Sequence, residues 1–180
     1  MGKKFNEFVK SMNEKAKEDN KTFNPADRIE KFTTLVDGLY RSIREWLSEG
    51  IESGGITTGT VPITIREERL GAYTANSMWI QIGTARVTLT PIGTILIGTN
   101  ARVDLQYKAK EVMIIRTGEN IEGAGELIEV RVNGVVEGGP RPKPGKDVWK
   151  YVSDKRRMTY KALNKDNFQD LIMNVINETD

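Results

Sequence analysis

From Ile56 to about Met158 the apolar residues of this chain recur at every second position, β-branched residues dominate, and glycine or proline interrupts the pattern at short intervals. Residues 61–65, 78–82, 85–90, 94–97, 102–107, 112–116, 127–132 and 135–137 read as strands. The breaks fall at Gly71, at Gly83 and Thr84, at Pro91 to Gly93, at Gly98 to Asn100 and at Gly118. None of these gaps is long enough for the helical crossover that parallel neighbours require, so the strands must form an antiparallel meander. Asn133 and Gly134 sit between two alternating runs and predict a tight hairpin, because its turn wants positive φ at both central residues.

On either side of this body the period changes to three and four. Phe5, Phe8, Val9, Met12 and Ala16 outline a short amphipathic helix. Asn24 followed by Pro25 supplies a capping oxygen and then a first-turn residue that needs no N–H partner, so a second helix starts there. Its apolar residues Ile29, Phe32, Val36, Leu39, Ile43 and Trp46 alternate steps of three and four, with Leu35, Tyr40 and Leu47 widening the stripe, until Gly50, Gly54 and Gly55 end it. The stripe spans fewer heptads than a coiled coil needs. It is expected to pack on the chain's own sheet or on the first helix, and the alternative is a self-association seam formed by those six residues. After an exposed Gly/Pro connector at 138–145, residues 148–152 and 158–162 read as two more strands joined by a charged turn. Asn164 caps a last helix whose stripe is Phe168, Leu171, Ile172, Val175 and Ile176.

The fold class that follows is α+β: an N-terminal helical pair, a strongly bent antiparallel sheet or partly open barrel of about seven to nine strands, and a C-terminal helix packed on the sheet. Residues 1–55 form the helical arm and 56–180 the β domain, expected to fold as one unit. The run from Leu89 through Pro91, Gly93, Gly98, Asn100 and Arg102 to Leu105, with Val148, Trp149 and Lys150 and the closing stretch 163–176, resembles a group of small bacterial proteins of unknown function. That resemblance implies no activity, cofactor or partner. A bent antiparallel sheet closed by one C-terminal helix is also similar in outline to the pleckstrin-homology superfold, a likeness of architecture that assigns no function.

Composition narrows the chemistry. Hydrophobic residues at 38% and charged residues at 29% suit a chain that buries a core and is not disordered. No run approaches the ~20 apolar residues of a membrane span, and the first residues lack the apolar centre of a signal peptide, so a cytoplasmic location without membrane insertion is expected. The chain has neither histidine nor cysteine, which removes Ser-His and Cys-His nucleophile pairs and histidine- or thiolate-based metal sites. No catalytic residue, cofactor or metal ligand is therefore expected. Glu67, Glu68 and Asp104 are the carboxylates on which an enzyme reading would have to rest. Asp104 lies within an apolar strand, and if buried it should pair with Arg102 or Arg86. The glycine-rich residues 54–60 follow a helix and precede a strand, the reverse of a phosphate loop, and read as a linker.

The strongest polar feature is the stretch from Arg141 to Lys165, with a local charge of +7 in a chain of net +2. Lys150, Lys155, Arg156, Arg157 and Lys161, interleaved with Trp149, Tyr151 and Tyr160, are the mixture of cations and stacking rings that binds single-stranded nucleic acid or another polyanion. The competing interpretation is a solvated basic edge that discourages strand-to-strand aggregation, with Trp149 and Tyr151 turned into the core. The expected function is a non-catalytic module for protein interaction or regulation, with another protein or a second copy as partner. Polyanion binding and a carboxylate enzyme are its alternatives.

Overall fold

In the computed structural model, residues 3–94, 100–126, 131–132, 135–136 and 145–178 are described. Helix α1 (Lys3–Thr22) is separated by two residues from α2 (Pro25–Trp46), and a short helix, α3 (Ser48–Glu52), leads to the sheet. Asn24 caps α2 as expected: its side-chain oxygen accepts from the amides of Ala26 at 3.0 Å and Asp27 at 3.4 Å.

Seven strands form one antiparallel sheet: β1 (Ile56–Glu67), β2 (Gly71–Ile82), β3 (Ala85–Gly93), β4 (Ala101–Tyr107), β5 (Lys110–Gly118), β8 (Asp147–Asp154) and β9 (Thr159–Ala162). The order is that of the sequence except for one excursion between β5 and β8, where β6 (Arg131–Val132) pairs with β7 (Val135–Val136) as a separate hairpin. The pairing of Val132 with Val135 makes β6 and β7 the arms of the expected hairpin, whose turn at Asn133 and Gly134 lies outside the described residues. The sheet does not close into a barrel.

Several boundaries differ from the sequence reading: β1 runs on to Glu67, and β2 begins at Gly71, read as a break, where only 78–82 was read as strand. Residues 56–60, read as part of a linker, belong to β1 and pair with 78–82 of β2. The glycine in this run is a strand residue covered by a cross-strand ring, because a Cβ at Gly59 would lie 2.5 Å from Cζ2 of Trp79. The break read at Pro91 to Gly93 is instead a bulge inside β3, which shifts register against β4 and continues to Gly93. The strand expected at 94–97 falls outside the described residues beyond Thr94.

Strand β3 pairs only with residues 78–82 of β2, whereas β1 pairs with the whole of it. The free ends of β1 and β2 therefore form a two-stranded ribbon that leaves the main sheet. The buried residues of β2 change phase at the departure point, from Tyr73, Ala75 and Ser77 to Met78 and Ile80. This is the strong bend anticipated from sequence. The ribbon folds over α2, where Tyr73 meets Phe32 edge-on at 6.1 Å.

The main core lies between one face of the sheet and the stripes of α2 and α4 (Lys165–Asn177). Asn164 caps α4 through the amide of Asn167 at 2.9 Å, and Phe168, Leu171, Ile172 and Val175 are buried. Trp46 packs against Phe168 with ring centres 5.6 Å apart, and the Gln169 amide donates to the carbonyl of Trp46 at 2.8 Å, which ties α2 to α4. On the opposite face Ile115, Ile121, Val152 and Tyr160 form a smaller cluster roofed by the segment after β5.

Candidate functional site

Most of the residues proposed from sequence as a self-association seam are taken up by the chain's own core. Phe32, Val36, Leu39 and Ile43 are at most 2% exposed and sit in the main core, and Ile29 and Trp46 are half-buried against it. The helix is anchored from the middle of this stripe, since the buried Tyr40 hydroxyl donates to the carbonyl of Leu89 on β3 at 3.1 Å. Burial, with Asp37 nearby, raises the pKa of that phenol far above its ordinary 10.0. The leading expectation for α2, packing on the chain's own sheet, describes what is seen, and it leaves only Ile29 and Trp46 of the six seam residues partly exposed.

The basic segment is also dispersed. Lys150 is 4% exposed, and its ammonium donates to the carbonyls of Glu119 at 2.7 Å and Ile121 at 2.6 Å. It holds down the segment that roofs the second cluster and is removed from any contact surface. Alternation along β8 explains why: Trp149 and Tyr151 face the main core, so Lys150 shares the other face with Val152. Tyr160 is buried there as well. Of the five cations singled out, those that remain exposed are Lys155, Arg156 and Arg157 in the β8–β9 turn and Lys161 on β9. Asp154 accepts from the backbone amides of Arg156 and Arg157 at 2.8 and 3.1 Å, and its carboxylate lies 4.0 Å from the Arg157 guanidinium. Lys155 lies 4.0 Å from Glu111. Among the described residues of the segment, the rings are buried or half-buried, whereas the cations of the turn and β9 are exposed.

Each carboxylate singled out from sequence has a separate setting. Asp104 is buried and takes a bidentate pair of hydrogen bonds from Arg102, both at 2.6 Å, one of the two pairings expected of it if buried. Arg86, the other candidate partner, stacks over Trp79 at 4.7 Å instead. Glu67 closes the tip of the ribbon onto the end of β3. It accepts from the Tyr73 hydroxyl, from the Thr94 amide at 3.1 and 3.2 Å, and from the Thr94 hydroxyl at 3.0 Å. Burial and the Glu67 carboxylate raise the pKa of Tyr73. The fit requires a glycine, because a Cβ on Gly93 would stand 2.9 Å from the Glu67 carboxyl carbon. Glu68 is exposed in the adjoining turn. Glu67 and Asp104 are thus occupied by separate sets of donors, one at the ribbon tip and one within the sheet.

What the structure leaves unsatisfied is α1. Phe5, Phe8, Val9 and Met12 are 52%, 58%, 39% and 51% exposed. The other large exposed apolar residues among those described, Val61, Ile92 and Met173, stand on three different elements. Neither outer strand competes with α1 as a contact surface. The outer edge of β9 is bonded to residues 122–124, through Tyr160 to Glu122 at 2.8 Å and Ala124 to Met158 at 3.1 Å. The edge of β1 carries Pro62, which lacks the N–H an added strand would need. The stripe on α1 was legible from its spacing, but nothing in the spacing said that it would be left uncovered. Comparison of the chain with protein-family models, curated proteins and solved structures finds no match.

Proposed function

We propose that this protein is a non-catalytic interaction module that self-associates through α1. The observation that carries the reading is the contiguous stripe of Phe5, Phe8, Val9 and Met12, exposed on a helix against which no other described element packs extensively. A second copy is the occupant favoured by symmetry. A head-to-tail contact would need a complementary apolar patch elsewhere, and the described surface offers only isolated apolar residues. An isologous contact needs only the stripe itself. Two antiparallel copies centred between Phe8 and Val9 would set Phe5 against Met12 and Phe8 against Val9 of the second copy, two unlike pairs repeated by the two-fold axis.

Sedimentation velocity over a range of concentrations tests this, with the wild type beside the Phe5→Ser/Phe8→Ser/Met12→Ser variant. The wild type should convert from monomer to dimer as concentration rises, and the variant should stay monomeric with unchanged circular dichroism and Tm. A wild type that remains monomeric throughout, or a variant that dimerises equally well, contradicts the reading.

A second reading keeps the β8–β9 turn as a polyanion contact, supported by three consecutive exposed cations, Lys155, Arg156 and Arg157, with Lys161 exposed on the following strand. It predicts salt-sensitive binding of labelled single-stranded RNA that the Arg156→Ala/Arg157→Ala variant loses.

A further inference from the structure

A cleft of about 270 Å³ opens between the N-terminal half of α2 and the end of β3. Its apolar lining is Phe23, Phe32 and Leu35, and its far side is formed by Thr94 and Asn100. The Thr94 wall is held in place before any ligand arrives, because Thr94 is buried and both its amide and its hydroxyl are bound to Glu67. On the helix side Arg28 and Lys31 stand one turn apart at the rim, both exposed and neither ion-paired among the described residues. One carboxylate, Asp27, shares that wall. An apolar lining beneath two cations and one anion is complementary to a ligand with an apolar body and a single negative charge.

The α2 terminus narrows the anion further. The amides of Ala26 and Asp27, which would cradle a phosphate, are already taken by the Asn24 side chain. With those donors occupied and Asp27 opposing a second negative charge, a phosphate dianion is poorly served, whereas a carboxylate can take the planar fork of Arg28. We infer that this cleft is a binding site for a small organic monocarboxylate with an aromatic or branched apolar body. Its carboxylate would rest on Arg28 and Lys31, and its body on the half-buried Phe23 and Leu35, above the buried Phe32 ring. The inference does not depend on how α1 is covered.

The test is a titration of the isotopically labelled full chain, followed by amide ¹H–¹⁵N correlation spectra, with sodium phenylacetate, phenylacetamide and sodium phosphate as probes. Phenylacetate should cause saturable shifts centred on Thr94, Asn100 and the first turns of α2. Loss of the charge in phenylacetamide, or the exposed Arg28→Gln/Lys31→Gln substitution, should each weaken binding by about tenfold or more. Absence of saturable shifts with phenylacetate, equal binding of the uncharged amide, or indifference to the double substitution would overturn the assignment. Phosphate shifting the same residues as strongly as phenylacetate would overturn the choice of a carboxylate.

Discussion

Helices α1 and α2 are neighbours in sequence, separated only by Phe23 and Asn24, and both carry apolar residues at steps of three and four. One is inside the molecule and the other is not. In α2 five residues spread over about three turns are buried, from Phe32 through Val36, Leu39 and Tyr40 to Ile43, and the helix is pinned to β3 by a buried phenol. In α1 the equivalent stripe is shorter, and its four large side chains stay 39% to 58% exposed. Helical periodicity shows that a face is apolar but not what covers it. Covering depends on whether a sheet of matching length lies opposite, which is a property of the rest of the chain.

The largest expected effects lie on the α2 side. Phe32→Ala should destabilise the fold by about 3–5 kcal/mol, because it removes a buried ring that packs edge-on against Tyr73. Urea denaturation measures it, and a loss no larger than that of a surface substitution would break the distinction between the helices. The second face of the sheet sharpens the same comparison with a charge in place of an apolar group. Lys150→Met should cost about 2–3 kcal/mol by leaving the carbonyls of Glu119 and Ile121 without their donor, whereas the exposed Lys161→Met should stay within about 0.5 kcal/mol. Thermal melts of the two variants side by side decide this.

Alkaline titration is the next measurement in order of size. Tyr40, Tyr73, Tyr151 and Tyr160 all have pKa values raised by burial, with a nearby carboxylate adding to the shift for all but Tyr160. A phenol whose folded pKa lies above its unfolded value contributes full stability below about pH 10 and loses it as the unfolded chain ionises above that. Stability should therefore hold through neutral pH and fall beyond about pH 10. Tyr40→Phe should cost about 1 kcal/mol at neutral pH through the lost bond to Leu89 and make the alkaline decline shallower. An unchanged alkaline slope would show that α2 is not anchored through that hydroxyl. The smallest effect belongs to α1, where Phe8→Ala should change monomer stability by less than about 0.5 kcal/mol. A loss comparable to that of Phe32→Ala would show that α1 is packed after all.

Much of the fold was legible because it rests on local rules. Both capping asparagines, the strands β4 and β5, the pairing of β6 with β7 and the stripe of α4 follow from short stretches of residues acting on their own backbone. What was not legible depends on distant partners. Alternation correctly separates Lys150 from Trp149 and Tyr151, but whether the Lys150 face is wet or roofed is decided by residues 119–124, some thirty positions earlier. Glu67 could be singled out as a carboxylate, but not its engagement by Thr94, which needs the ribbon to bend back over β3. The exposed stripe of α1 has the same cause, since its partner is not among the described elements of the chain.

The central claim is that α1, on which no other described element packs extensively, gains a partner from a second copy of the chain. Amide hydrogen exchange, read by mass spectrometry at low and high protein concentration, tests it directly. At low concentration the amides of α1 should exchange with little protection while those of α2 exchange only on global opening, and at high concentration α1 alone should gain protection. Strong protection of α1 at the lowest concentration, or none at any concentration, would contradict the account.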